Sequence, residues 1–281
     1  MTKQILLSVQ ELRAALDNTD CVIVDCRFVL EDTDAGYEDY LDSHIPGAVY
    51  AHLDNDLSSP PSSTGGRHPL PDANKFAAFL GELGWSPGKL LIAYDDAGGA
   101  IAARLWWLMK YFGHDCAALL DGGIPAWWAA GYEIESGPST VTKLPPASFE
   151  ICDALEISTL EIIEALGRDE IVLADARARE RFTGQFEPID AVAGHIPGSV
   201  NYPYNINLAP NGTFKPVKDI RRELLKLAGS HNSQDVVHMC GSGVTACNNI
   251  FAAELAGLTG SRLYVGSWSE WIHDPSRPIE P

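Results

Sequence analysis

The residues best placed for chemistry are Cys240 and the turn that follows it, within Val236-Val237-His238-Met239-Cys240-Gly241-Ser242-Gly243-Val244-Thr245-Ala246. Cysteine reacts as its thiolate, which is favoured where backbone N–H groups and a helix N-terminus converge. Glycines let a chain turn tightly and bring its amides inward, and Gly241 and Gly243 both follow Cys240 closely. A loop of Gly241, Ser242, Gly243, Val244 and Thr245 around a sulfur supports nucleophilic attack with the negative charge held by the backbone. A lone cysteine after a strand is ordinarily a small buried hydrophobe, and the Gly-Ser-Gly run separates Cys240 from that reading. Cys247 lacks such neighbours and reads as a core residue, with a redox partner of Cys240 as the alternative.

A nucleophile at a turn needs a strand before it and a helix after it. Val236-Val237 is strand-like, and Ala246–Leu255 has a helix-compatible pattern. Other apolar runs alternate with helical-period segments at Ala73–Leu83, Ala100–Phe112, Leu160–Leu166 and Asp219–Leu227. That alternation predicts an α/β fold with mostly parallel sheets flanked by helices, whose ligands bind beyond the carboxyl ends of the strands.

The two halves repeat one another. Val24-Asp25-Cys26-Arg27, His44-Ile45-Pro46-Gly47 and Asp121-Gly122-Gly123 recur as Ala174-Asp175-Ala176-Arg177, His195-Ile196-Pro197-Gly198 and Val265-Gly266-Ser267. Between them, Gly137-Pro138 through Pro145-Pro146 carries no periodicity. The reading is an N-terminal domain over 1–137, a linker over 138–149 and a C-terminal domain over 150–281. Where the second half has Cys240 the first has Asp95, followed by Asp96-Ala97-Gly98-Gly99. A carboxylate is no thiolate, so one reactive site is expected, and Asp95 reads as a solvated or capping loop residue without an equivalent ring of amides. Arg177 is expected to pair with Asp175 two residues before it.

Composition narrows the partners. The net charge of −18 argues against nucleic acid and anionic membranes. No run is long enough for a membrane span and the N-terminus lacks a signal-like apolar core, so the expected location is cytoplasmic. Residues 1–140 hold 8 Lys/Arg against 20 Asp/Glu, and residues 141–281 hold 12 against 18. The half with Cys240 is thus the less hostile to an anion. Six cysteines without a CxxC pair give no zinc or disulfide pattern, and no metal or cofactor is expected.

With the paired His-Ile-Pro-Gly elements, Cys240-Gly241-Ser242-Gly243-Val244-Thr245 and Gly266-Ser267-Trp268-Ser269-Glu270-Trp271, the chain from about Ser8 to Pro275 resembles the tandem-domain rhodanese sulfurtransferases. The resemblance implies two rhodanese-like domains, of which the first is non-catalytic. It also implies a persulfide carried on Cys240, a small anionic sulfur donor, and a thiol, cyanide or thioredoxin-like acceptor. A loop free of charge is similar to those of members preferring 3-mercaptopyruvate over thiosulfate. It further implies that Arg181 holds the donor's carboxylate. A second arginine is customary nine residues on, where this chain has Asp190, so Arg179 or Arg67 is expected to substitute. His44 is expected near the cysteine, oriented by an acid such as Asp34 and relaying protons with Ser242, whereas His195 reads as a turn residue. The rival readings are a thiosulfate:cyanide sulfurtransferase and a persulfide carrier without turnover. A cysteine phosphatase is disfavoured by Ala246, where phosphate binding needs arginine.

Overall fold

A computed structural model describes residues 4–16 and 20–281. The chain forms two compact units. The first comprises residues 1–59, 71–152 and 208–214, and the second 60–70, 153–207 and 215–281. The units are therefore not simple halves, because each includes a short segment from the other's stretch of sequence.

The first unit runs β1 (Leu6–Leu7), α1 (Val9–Ala15), β2 (Cys21–Asp25), α2 (Ala35–Asp42), β3 (Val49–Tyr50), α3 (Ala73–Glu82), β4 (Leu90–Tyr94), α4 (Ala102–Tyr111), β5 (Ala117–Leu120) and α5 (Gly123–Ala129). Its sheet has the order β1-β5-β4-β2-β3, with every pairing parallel. The strands are short and nearly all buried, as expected where helices cover both faces. Ser8 starts α1 with a capping box to Glu11, which satisfies amides the first helical turn leaves orphaned. Ile23, Ile92, Tyr94, Ile124 and Trp127 join one apolar core. The stretch read as a linker lies along α3: Leu144 N–H donates to Gly81 O at 2.8 Å and Ala147 N–H to Ala77 O at 3.0 Å.

The second unit runs α6 (Thr159–Ala165), β6 (Val172–Asp175), α7 (Arg179–Phe182), β7 (Val200–Asn201), α8 (Val217–Ala228), β8 (Val236–Met239), α9 (Ala246–Leu255), β9 (Arg262–Leu263) and α10 (Ser267–Trp271). Its sheet order is β7-β6-β8-β9, again parallel throughout. The place β1 holds in the first unit is reduced here to one bridge between Glu156 and Leu263. Leu173, Val237, Met239, Trp268 and Trp271 pack together. Burying such side chains contributes roughly 1.5–3 kcal/mol each, which fixes β8 and α10 on either side of Cys240.

The repeat has a physical basis. Arg27 grips Asp25 through Nε and Nη2, with Nη2 at 2.7 Å, and the same nitrogen donates to Ser43 O at 2.7 Å. Arg177 does the same with Asp175 at 2.7 Å and Gly194 O at 2.8 Å. Each pair thereby ties a central strand to the residue before a His-Ile-Pro-Gly turn, and Gly47 and Gly198 close those turns at φ +75° and +76°. Both histidines serve the turn. His195 Nδ1 bonds Phe182 O at 2.9 Å and its ring stacks on Phe182. His44 Nδ1 bonds Tyr40 O at 2.7 Å, Nε2 lies 3.2 Å from Ser139 Oγ, and the ring stacks on Tyr40. The acid beside His44 is Glu135, not the expected Asp34, which stands at the N-cap of α2.

The loop after β4 also differs from expectation. Asp95 is 1% exposed. Its Oδ1 accepts from the amides of Ala97 and Gly99 at 2.9 and 2.8 Å, and its Oδ2 from those of Ile101 and Ala102 at 2.8 and 2.9 Å. A complete ring of inward amides exists here, filled by the chain's own carboxylate. Asp95→Ala is expected to cost about 3 kcal/mol in denaturant unfolding, with Asp95→Asn in between, because buried donors would lose a charged acceptor. A loss below about 1 kcal/mol would refute the bonding scheme.

Candidate active site

Cys240 follows β8 directly, at the carboxyl end of the central strand of the second unit. Four buried strand residues feed it into the loop, and α9 begins at Ala246 with Thr245 as N-cap. The residue is 2% exposed. The loop repeats the first unit's turn: Gly98, third after Asp95, has φ +69°, and Gly243, third after Cys240, has φ +74°. An added methyl on Gly243 would stand 2.3 Å from Val265 O, so neither its torsion nor its surroundings accommodate a side chain. Cys247 lies fully buried on α9, with Sγ donating to Gly243 O at 3.4 Å.

The backbone of Cys240 is held from α10. Trp268 N–H donates to Cys240 O at 3.1 Å, as Ile124 N–H donates to Asp95 O at 3.0 Å in the first unit. Cys240 N–H donates to Ser267 Oγ at 3.1 Å, and that hydroxyl donates to Tyr264 O at 2.8 Å. Ser267 has φ +52°, where the first unit has Gly123 at φ +57°. A serine in that left-handed conformation is strained, and strain of this kind persists where the surroundings over-determine it. Its hydroxyl fixes the amide of Cys240.

Two guanidinium groups lie over Gly241. From the point where a Cβ would be, Arg67 Nη2 is 3.2 Å away, Arg181 Nη2 3.4 Å and Arg181 Nη1 3.6 Å. A Cβ at 241 would crowd these cations and ask Arg67 to give way by a few tenths of an ångström. Arg67 arrives on the segment 60–70. Its amide donates to Ser269 Oγ at 2.9 Å, and neighbouring Gly66 packs so closely on Gly266 that a Cβ would be 2.5 Å from Gly266 O. Asp190 joins the two arginines, accepting from Arg67 Nη1 at 2.7 Å and Arg181 Nη2 at 2.8 Å. Glu187 accepts from Arg181 Nε at 3.0 Å. Burial would raise the Glu187 carboxyl, but hydrogen bonds from Arg181 and from the Asp190 and Ile189 amides hold it below its usual value. Arg179 is exposed on α7 and contributes only backbone contacts to Thr183 and Phe182's turn.

The histidine on Ser242 is His68. Its Nδ1 lies 2.7 Å from Ser242 Oγ and both residues are buried. The sequence pointed to His44 for this place, but His44 Nδ1 is bonded to Tyr40 O and its Nε2 lies 3.2 Å from Ser139 Oγ. His68 was missed because it belongs to no repeated element, although Arg67-His68 is the one charged step in the otherwise uncharged Pro60–Leu70. His238, two residues before Cys240, is a neutral core residue pushed down to about 3 by complete burial. Among the described residues no group of three or more His, Cys, Asp or Glu is arranged to hold a metal ion, and no helix is long and apolar enough to cross a membrane.

A rhodanese-like domain model matches residues 8–130 and again residues 158–274. This chain belongs to the rhodanese family. It is 44% identical, over 99% of both chains, to a Pseudomonas aeruginosa protein named as a probable 3-mercaptopyruvate sulfurtransferase. A Mycobacterium tuberculosis relative carrying a provisional thiosulfate sulfurtransferase name is 38% identical over 98% of this chain and 96% of its own. Among solved structures, 3-mercaptopyruvate sulfurtransferase from Leishmania major superposes with a TM-score of 0.82 at 32% identity, covering 96% of this chain and 75% of that one. As a rhodanese, the chain carries its Cys-Gly-Ser-Gly loop in the second copy and an aspartate in the first.

Proposed function

We propose that the protein transfers sulfur from 3-mercaptopyruvate to a thiophilic acceptor through a persulfide on Cys240. The observation that carries this reading is the pair of guanidinium edges, Arg67 Nη2 and Arg181 Nη1, over Gly241 one residue from the nucleophile. Such edges suit a carboxylate, which accepts two N–H bonds in a plane.

In this mechanism the Cys240 thiolate attacks the donor's sulfur. The carbon–sulfur bond breaks, its electron pair passes to the carbon skeleton as the enolate of pyruvate, and a proton completes pyruvate. Ser242, hydrogen-bonded to His68, is the group placed to move that proton. The outer sulfur stays on Cys240 until cyanide, a small thiol or a thioredoxin-like protein takes it, which restores the thiolate in a double-displacement cycle. No step requires a metal or organic cofactor.

Thiosulfate fits less well. The loop offers no cation beyond the two arginines, and two nearby carboxylates offset those. The value of kcat/KM with cyanide as acceptor is expected to favour 3-mercaptopyruvate over thiosulfate by at least about tenfold, roughly 1.4 kcal/mol of transition-state discrimination. Equal or better turnover of thiosulfate would overturn the donor assignment. Stable persulfide with negligible turnover of either donor would favour a carrier.

A further inference from the structure

We propose that Asp190 sets the charge selectivity of the donor site, an inference that rests on the donor reading above. The side chain of Asp190 is 3% exposed, with one carboxylate oxygen on Arg67 and the other on Arg181. Glu187, equally buried, takes the remaining inner edge of Arg181. Glu187 also lies 3.5 Å from Arg177 Nη1, and Arg177 is paired with Asp175, so three guanidinium groups face three carboxylates and the cluster sums to zero charge.

The bonding pattern also decides which donors remain. Arg67 uses Nη1 and Arg181 uses Nε and Nη2 on the acids. Arg67 Nη2 and Arg181 Nη1 make no hydrogen bond to the described residues, and both lie within 3.6 Å of the Cβ position of Gly241. Asp190 therefore does two things. It braces two arginines from distant parts of the sequence so that each presents one free N–H edge over the loop. It also places a carboxylate one guanidinium away from any bound anion.

That second effect discriminates. Repulsion from a fixed charge scales with the charge of the ligand, so a dianion such as thiosulfate suffers about twice the penalty of a monocarboxylate in the same place. The attraction of the two arginines scales with ligand charge as well, so Asp190 acts by trimming the advantage a dianion would otherwise gain from them. With aspartate, the site favours a dianion less than the same two arginines would without it.

The test compares kcat/KM for 3-mercaptopyruvate and for thiosulfate, with cyanide as acceptor, in the wild type, Asp190→Asn and Asp190→Glu. Asp190→Asn removes the charge at nearly constant shape, and its preference for 3-mercaptopyruvate is expected to fall at least about tenfold, with thiosulfate turnover rising. Asp190→Glu keeps the charge while disturbing the brace. It is expected to lose rate with both donors but to hold their ratio within about threefold of wild type. An unchanged ratio in Asp190→Asn, or an equal collapse of the ratio in Asp190→Glu, would overturn the proposal. A wild type that prefers thiosulfate would instead defeat the donor reading itself, so the two failures are separable.

Discussion

Cys240→Ser is expected to reduce sulfur transfer by at least about a thousandfold while leaving the fold in place. The loss follows from the element exchanged. A serine oxygen is protonated at neutral pH and cannot hold a transferable sulfur as a persulfide, so neither half of the double displacement proceeds. The fold survives because the bonds that secure this position belong to the backbone. Cys240 N–H still reaches Ser267 Oγ and Cys240 O still accepts from Trp268. Its thermal and denaturant transitions should stay within about 1–2 kcal/mol of wild type, the small cost of a polar atom in a nearly buried place. Pyruvate release and thiocyanate formation report the rate, and the mass gain of one sulfur atom on the intact chain reports the persulfide. Cys247→Ser, on the far side of the loop backbone, should retain most activity. Substantial transfer by the Cys240→Ser protein would remove the nucleophile from the mechanism.

Gly243→Ala is expected to damage both activity and stability. The sequence alone suggests that activity suffers more, because it reveals a turn glycine but not what stands behind it. The structure puts Val265 O 2.3 Å from the new methyl, a contact with backbone that no rotamer change relieves. The torsion adds its own penalty at φ +74°. Together these should cost about 2–4 kcal/mol of stability and at least about a hundredfold in kcat/KM as the loop shifts beneath the arginines. Gly198→Ala is the matching control, since φ is +76° there with nothing within 4 Å. It should cost only about 1 kcal/mol and leave turnover intact. If the two variants behave alike, the contact with Val265 is not what confines the loop.

Much of the scaffold was legible because it is periodic. Buried strand runs, the capped helices and the duplicated Asp-x-Arg and His-Ile-Pro-Gly elements all leave regular marks. The helix Ala246–Leu255 matches the sequence pattern residue for residue. The loop glycines were legible for the same reason, since a turn leaves few alternatives to glycine. What escaped depends on pairings distant in sequence. Arg67 and Asp190 stand 123 residues apart, and His68 and Ser242 174 residues apart, and no local rule joins them. His44 misled because a turn histidine and a reactive histidine look alike until the partners of both ring nitrogens are known. Ser267 escaped because a positive φ at a non-glycine residue is visible only in the backbone itself. The short strands β3, β7 and β9, two residues each, are defined by their neighbours more than by their own side chains.

The carboxylate of Asp95 is an anion that cannot dissociate. Because it is tethered to the ring of amides it occupies, its effective concentration there exceeds that of any free phosphate, sulfate or sulfide species in solution. The first unit's loop is consequently saturated at all times, and its local stability is uncoupled from metabolite levels. The second unit has no such permanent occupant. In the proposed cycle Cys240 changes its charge and its size, so by thermodynamic linkage the stability of that unit is expected to rise and fall with its sulfur load. The duplicated fold has thus produced one copy that is buffered against its chemical surroundings and one that registers them.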